Sequence, residues 1–264
     1  MARRVAVITT EFGIPSEIWM VRQLTHFRRI EPVVMAWGRR EGGTALPDGL
    51  EFVELSAGDP QRPDWRQRQA RRLGLAAGHV PGAAARQRLR AQILDAGVEA
   101  VFCHFAWTAI PVVAAVGDAL PVVAQVHGRD VSALLRQRSY CAALRRTLPR
   151  LAELVAVGQF QLDLLRPFGL PERVSVIPCG APFDLFGQAP LPTRGDEEPI
   201  RFLSIGRIDP EKGVLESLAA FERVVAQHPG AELLYAGRGP LDEELARAVA
   251  ASPARDKVRL LGFV

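Results

Sequence analysis

Short apolar runs rich in valine and isoleucine alternate, over the first 180 residues, with longer stretches whose apolar positions recur at helical spacing. The runs predict strands at Val5–Thr9, Val33–Trp37, Glu51–Leu55, Ala100–His104, Pro121–Val126, Glu153–Val157 and Val174–Ile177. The intervening stretches predict helices at about Glu17–Ile30, Asp64–Ala77, Ala83–Ala96, Trp107–Gly117, Tyr140–Leu148 and Phe160–Pro167. Near-continuous apolar strands separated by helices are the sign of parallel βαβ units with both sheet faces covered. Residues 61–96 read as a long arginine-rich insert, two helices around Pro81-Gly82.

The pattern breaks between Ala181 and Pro199, where four prolines and the run Asp196-Glu197-Glu198 replace periodicity. It then restarts, with strands at Arg201–Ile205, Ala231–Ala236 and Val258–Leu261 and helices at Val214–Gln227 and Leu241–Ala250. The expected organisation is an N-terminal Rossmann-like domain over residues 1–185, a linker over 186–199 and a partial second domain over 200–264. Three strands and two helices cannot cover both faces of a parallel sheet, so an apolar face or an unpaired edge is expected in the second domain. This favours a chain cut from a longer protein.

Composition narrows the class. Of 264 residues, 48% are hydrophobic and 23% charged, ordinary values for a globular protein. The most apolar stretch, 109–126, is interrupted by Gly117, Asp118, Pro121 and Gln125, so no transmembrane helix is expected. The apolar run after Arg3-Arg4 is too short for a signal peptide and reads as the first strand. Cys103, Cys141 and Cys179 lack CxxC spacing and are odd in number, which favours a reducing cytoplasm over disulfides or a zinc site. The net charge of +4 is uneven: residues 61–90 hold eight arginines and one aspartate. That concentration suits either a solvated helix face or peripheral contact with an anionic membrane.

Ligands of open parallel sheets bind beyond the carboxyl ends of the strands, so the residues after each strand are the candidates. Gly13 follows the first strand, His104 ends the fourth, and His127-Gly128-Arg129-Asp130 follows the fifth. In the second domain Gly206-Arg207-Ile208-Asp209-Pro210-Glu211-Lys212-Gly213 joins a strand to a helix. Arg207 and Lys212 there offer a fork and a point charge to a diphosphate, beside a helix N-terminus. Asp209-Pro210 could equally be a plain helix cap. Gly237-Arg238-Gly239-Pro240 is a second glycine-rich turn, short of a dinucleotide fingerprint. Asp130 either orients His127 or caps a helix, and core packing is the default for His104. His26, His79 and His228 have no metal-ligand spacing, and no metal site is assigned. There is no Walker loop, GxSxG, HExxH or RNA-binding aromatic pair, so P-loop, hydrolase and nucleic-acid readings lack support.

These segments together resemble a family 4 glycosyltransferase of the GT-B fold, of the exopolysaccharide or colanic-acid type. Phe12-Gly13-Ile14-Pro15-Ser16-Glu17 with Gln23 is similar to its F-P-x-x-S-E opening, and His127-Gly128-Arg129-Asp130 to its H-G-x-D. Val155–Phe160 and Val174–Gly180 look like its V-S-x-F and V-I-P-N-G pair. Gly206-Arg207 with Glu211-Lys212-Gly213 resembles the donor-phosphate loop, and Gly237-Arg238-Gly239-Pro240-Leu241 and Leu261-Gly262-Phe263-Val264 resemble the motifs that follow.

The resemblance implies retaining transfer of a sugar from a UDP- or GDP-sugar, with no required metal, to a glycan or lipid-linked acceptor in cell-surface polysaccharide synthesis. It places the protein in the cytoplasm, with peripheral contact at the inner membrane face through 61–90. Catalytic candidates are His127, Asp130, Arg207 and Lys212. Donor-binding candidates are Gly13, Gly206, Arg207, Lys212, Gly237 and Gly239, and acceptor-side candidates are Glu17 and His104. Gly158, Cys179 and Gly13 depart from the family's serine, asparagine and proline. The family's E-x7-E segment has no counterpart, so little activity is expected of this chain alone. The alternatives are a non-catalytic nucleotide-binding module and a nucleotide-sugar epimerase.

Overall fold

A computed structural model describes residues 2–181, 186–187, 195 and 198–264. The chain divides into two compact units, Met1–Pro182 and Phe183–Val264. Most of the expected linker, residues 188–194 and 196–197, lies outside the described residues.

The first unit is one parallel sheet of seven strands. They are β1 (Arg3–Thr9), β2 (Ile30–Ala36), β3 (Glu51–Glu54), β4 (Ala100–His104), β5 (Val122–Val126), β6 (Glu153–Ala156) and β7 (Val174–Val176), in the order β3-β2-β1-β4-β5-β6-β7. The helices are α1 (Ile18–His26), α2 (Trp65–Arg72), α3 (Ala83–Asp95), α4 (Ala106–Val116), α5 (Arg138–Thr147) and α6 (Gln159–Leu165). Successive strand residues point to opposite faces, and both faces are covered. Ala6, Ile8, Val33 and Met35 share one core with Leu89 and Ile93 of α3 and Ile110 and Val113 of α4. Val7, Val34 and Ala36 pack on the other face with Met20 and Leu24 of α1. The strand order reverses between β1 and β4, which is where an open α/β sheet leaves a crevice at its carboxyl edge.

One sequence expectation shifts and another is met. The first helix ends at His26 rather than Ile30, because Phe27 is already extended and Ile30 opens β2 opposite Arg3. The insert does form two helices, α2 and α3, joined through a 3-10 turn at Ala76–His79. Four of its arginines are occupied by backbone: Arg68, Arg71 and Arg86 donate to the nearby carbonyls of Pro63, Gly78 and Pro60, and Pro81, and Arg90 to that of Val116 at the end of α4.

The second unit holds a parallel sheet of β8 (Arg201–Ile205), β9 (Glu232–Ala236) and β10 (Val258–Gly262) in the order β10-β9-β8. Between these strands run α7 (Val214–Gln227) and α8 (Asp242–Ala251). Parallel crossovers are right-handed, so strands added on one side place both helices on one face. Leu218 and Phe221 of α7 and Leu245 of α8 bury Leu233, Tyr235 and Val258 there. Leu203 and Ile205 point the other way and are 61% and 70% exposed, the bare apolar face expected from so few elements.

Candidate functional site

At the carboxyl edge of the first sheet the chain turns sharply from β4 into α4. Phe105, with φ 70°, is the one non-glycine residue in the left-handed region among the described residues. Such a conformation costs about 1–3 kcal/mol and persists only when neighbours over-determine it. Here Phe105 donates its N–H to the Gln125 carbonyl at 2.8 Å, and its ring stacks on Trp107 with centroids 4.3 Å apart. The next amide, Ala106, begins α4 and donates to Asp130 Oδ2 at 3.1 Å.

Asp130 is fully buried and also accepts the His127 N–H, at 3.1 Å. Its carboxylate therefore joins the ends of β4 and β5 through their backbones. Burial raises its pKa to about 6, against the lowering effect of these backbone hydrogen bonds. The expected choice between orienting the imidazole and capping the following helix resolves as neither. Asp130 caps α4, which precedes it in sequence, and anchors the His127 main chain.

His127 is half-buried. Its ring lies 4.4 Å from the Trp19 ring and 4.9 Å from Phe105, and its buried Nε2 has no hydrogen-bond partner. Burial lowers its pKa to about 4, so the imidazole is neutral at neutral pH. His104 is 5.8 Å away between ring centroids and wholly buried against Phe102 and Trp19, with both ring nitrogens unpartnered. Burial and then the His127 charge push its pKa down to about 3. Core packing thus accounts for the place of His104.

Sequence reasoning missed two neighbours. Trp19 packs over both imidazoles, and Gln161 of α6 donates to the His127 carbonyl at 3.1 Å while its buried Oε1 stays unpartnered. Gly158 stands at the start of α6, and a Cβ there would sit 2.8 Å from Gln161 Oε1. The glycine that departs from the family serine therefore leaves room for Gln161.

Glu17, after β1, has its pKa raised to about 7 by burial and then by the Glu11 charge, with Arg40 opposing. Gly13, expected to admit a ligand, uses its φ of 90° for local packing. Its carbonyl accepts the Thr44 N–H at 2.9 Å, and a Cβ would come 3.0 Å from the Thr44 oxygen.

In the second unit the loop after β8 carries the other candidates. Gly206 donates to the Ala236 carbonyl at 2.9 Å, Gly237 to Gly262 at 2.7 Å and Ile208 to Arg238 at 3.1 Å, so the turns after β8, β9 and β10 are tied together. Gly237 has φ 147°, and a Cβ there would run into the Gly206 carbonyl; one on Gly239 would meet that of Ile208. Both glycines are required by close backbone approach. Asp209 caps the short turn Pro210–Lys212 by accepting the Glu211 N–H at 2.9 Å, and sits 3.4 Å from the exposed Arg207 guanidinium. Gly213, left-handed at φ 62°, then opens α7, whose N-terminus no side chain caps. Lys212 has no ion-pair partner among the described residues. The cap reading and the anion reading of this loop are compatible: Asp209 caps the turn, and the start of α7 stays open.

A Glycosyltransferase Family 4 model matches residues 33–185, more than half of the chain. The chain belongs to glycosyltransferase family 4. A second model, Glycosyl transferases group 1, matches residues 192–264. The phosphatidylinositol N-acetylglucosaminyltransferase gpi3 subunit of Schizosaccharomyces pombe is 32% identical over 101 residues, 38% of this chain and 22% of that protein. The matched segment thus spans about a fifth of that relative. Among solved structures, a lipopolysaccharide outer core galactosyltransferase in its apo form aligns at TM-score 0.62 and 12% identity, over 99% of this chain and 68% of the other. Sucrose-phosphate synthase from Thermosynechococcus elongatus aligns at 0.61 and 18%, over 99% and 71%. Anabaena HepE in complex with UDP-glucose aligns at 0.60 and 15%, over 99% and 69%. At these identities the likeness concerns the fold, and it establishes the GT-B class of parallel α/β fold expected from the motifs. No helix among the described residues is long and apolar enough to cross a membrane.

Proposed function

We propose that the protein takes part in a retaining glycosyl transfer from a nucleotide-diphosphate sugar to a glycan or lipid-linked acceptor in cell-surface polysaccharide synthesis. Family membership supports the transfer itself, and a solved structure of the same fold binds UDP-glucose. The observation that carries the donor assignment is the loop after β8. It presents Arg207 and an ion-pair-free Lys212 beside an uncapped helix N-terminus, an anion-binding arrangement held by glycines that tolerate no Cβ. In this reading Arg207 and Lys212 hold the diphosphate and stabilise the charge that grows on it as the glycosidic bond breaks. Gly206, Gly237 and Gly239 shape that loop.

His127 serves the transferred sugar as a neutral imidazole, able to donate or accept one hydrogen bond. Asp130 is a positioning residue. Glu17 is the acceptor-side carboxylate whose raised pKa suits proton traffic near neutrality. The domain assignment of 1–185, 186–199 and 200–264 belongs to the same proposal. So does a cytoplasmic protein touching an anionic membrane through 61–90, where Trp65, Leu73 and Leu75 are exposed among arginines.

Isothermal titration with UDP and GDP tests the donor site. Saturable binding of one of them, weakened about tenfold or more by Arg207→Gln and by Lys212→Gln, is expected. Binding that neither substitution changes would remove the assignment. Sugar transfer to added acceptor separates a transferase from a binding module, and epimerised free sugar without acceptor would point to an epimerase.

A further inference from the structure

A cavity of about 360 Å³ opens in the first unit between the arginine-rich insert and the carboxyl edge of the sheet. Its walls include Gln61, Arg71, His79, Trp107, Arg129 and Gln137, and no acidic side chain lines it. The volume falls within the range of about 300–1,000 Å³ typical of small-molecule sites.

Two cations face this space without a counter-charge. Arg129 is exposed and has no ion-pair partner among the described residues. Arg71 is half-buried, and its guanidinium is held by donating from Nε to Gly78 O at 2.7 Å and from Nη2 to Pro60 O at 2.9 Å. Those bonds leave Nη1 uncommitted. Burial lowers the Arg71 pKa, the sign of a charge kept in a partly dry place without a carboxylate. The acids next in sequence to the lining residues Pro60 and Arg129 are otherwise engaged: Asp59 pairs with Arg62 at 3.7 Å, and the Asp130 carboxylate is spent on backbone amides. His79 adds a wall rather than a charge, because burial and Arg71 lower its pKa to about 4 and its Nε2 meets Ser139 Oγ at 3.1 Å.

The third feature is an oriented aromatic. Trp107 is fixed by its Nε1–H bond to Thr10 Oγ1 at 3.0 Å and by stacking on Phe105. Phe105 in turn lies 4.9 Å from the His127 ring. Two stacked rings, Trp107 and then Phe105, therefore lie between the cavity and the candidate imidazole.

We infer that this cavity is an acceptor subsite for a phosphorylated sugar, with Arg71 and Arg129 holding the phosphoryl group and Trp107 backing the sugar ring. Two guanidinium groups from different elements lining one cavity match a phosphate monoester, with its charge near −2 and three acceptor oxygens, better than a single carboxylate. The inference deepens the transferase reading and rests on it for the word acceptor. The phosphoryl group itself can belong to a soluble sugar phosphate or to a lipid.

The test is binding to the whole chain, measured by isothermal titration with glucose 6-phosphate, glucose and glucuronate at low salt, and by co-sedimentation with phosphatidylglycerol and phosphatidylcholine vesicles. Glucose 6-phosphate is expected to bind saturably and at least about tenfold more tightly than glucose or glucuronate. Arg129→Gln should remove about tenfold or more of that preference, while Arg62→Gln, at the paired arginine of the same insert, leaves it intact. Arg71→Gln should act like Arg129→Gln, but Arg71 also ties Gly78 and Pro60, so the Arg129 variant decides, with circular dichroism confirming its fold. Vesicle binding that needs phosphatidylglycerol, disappears in Arg129→Gln and is competed by glucose 6-phosphate would support the site and assign the phosphate to a lipid. Equal affinity for glucose and glucose 6-phosphate, or indifference to Arg129→Gln in both arms, would overturn the inference. UDP or GDP binding is measured alongside. Its persistence in a protein that ignores sugar phosphates would sink this subsite alone, and its absence would strike the donor reading instead.

Discussion

Asp130 Oδ2 accepts the backbone N–H of Ala106 at 3.1 Å, across 24 residues of sequence. The same carboxylate holds the His127 N–H, so one buried side chain fixes both the start of α4 and the turn that presents the imidazole. Asp130→Ala would strand two buried donors, at about 1–3 kcal/mol each. Chemical denaturation should show a loss of that order. Donor binding at Arg207 and Lys212, in the other unit, should persist as long as the variant folds.

The Asp130 carboxyl has a further signature in its pH dependence. Its folded pKa, about 6, lies above the ordinary aspartate value of about 3.9, so the folded state keeps its proton where the unfolded chain has lost it. That contribution favours the fold at low pH and is lost as pH rises from about 4 through 6. Measured against Asp130→Asn, which cannot titrate, the wild type should lose relative stability between pH 4.5 and 7. A difference that stays constant across that window would show that the carboxyl is not desolvated as the structure has it.

His79, His104 and His127 act in the opposite sense. All three are pushed below the ordinary histidine value, to about 4, 3 and 4, by burial first. The unfolded chain takes up protons below about pH 6.5 that these rings refuse, so their contribution is complete above that pH and declines as pH falls toward 4. With three histidines against two raised carboxyls, Glu17 and Asp130, thermal stability should fall on acidification from pH 7 to 5. His104→Leu should flatten this fall, because it removes a wholly buried imidazole with two unpartnered nitrogens. Ring resonances of His127 should show no titration above about pH 5.5.

Gly237→Ala probes the backbone under the candidate phosphate loop. The glycine has φ 147°, and a Cβ would press into the Gly206 carbonyl. A cost of about 2 kcal/mol or more is expected, visible as an earlier unfolding transition of the second unit. UDP or GDP affinity should fall with it. Gly180→Ala, where nothing stands within 4 Å of a Cβ, is the control and should change neither.

Tyr235 supports the same loop from beneath. Its hydroxyl donates to the Val214 carbonyl at 2.9 Å and meets Ser217 Oγ at 2.7 Å, pinning the first turn of α7. Tyr235→Phe keeps the ring that packs against Leu218 and Phe221 but removes both hydrogen bonds. A destabilisation of about 1–2 kcal/mol is expected, measured from denaturation midpoints.

Much of the fold was legible because strand and helix periodicity are local properties. Val5–Thr9 and Ala100–His104 had to be buried strands, and Val214–Gln227 had to be one-sided, whatever their partners. The glycines at 206, 213, 237 and 239 marked tight turns for the same reason, since a positive φ at 206 and 213, or a backbone approach that admits no Cβ at 237 and 239, leaves its trace at the residue itself. The bare face of Leu203 and Ile205 followed from counting elements.

What the tertiary structure decided is who meets whom. Parallel pairing of β4 with β5 brings their carboxyl ends together, and only there does Asp130 find Ala106 rather than the His127 ring. Arg71, Trp107 and Arg129 come from a helix of the insert, a helix start and a turn, spaced by no repeat that a sequence reading could detect. Burial sets the protonation of Asp130 and His104, and burial is a sum over distant neighbours. That is why the chain announced its sheet and its glycine turns, while the roles of Asp130, His104 and the arginine cavity emerged only from the packed molecule.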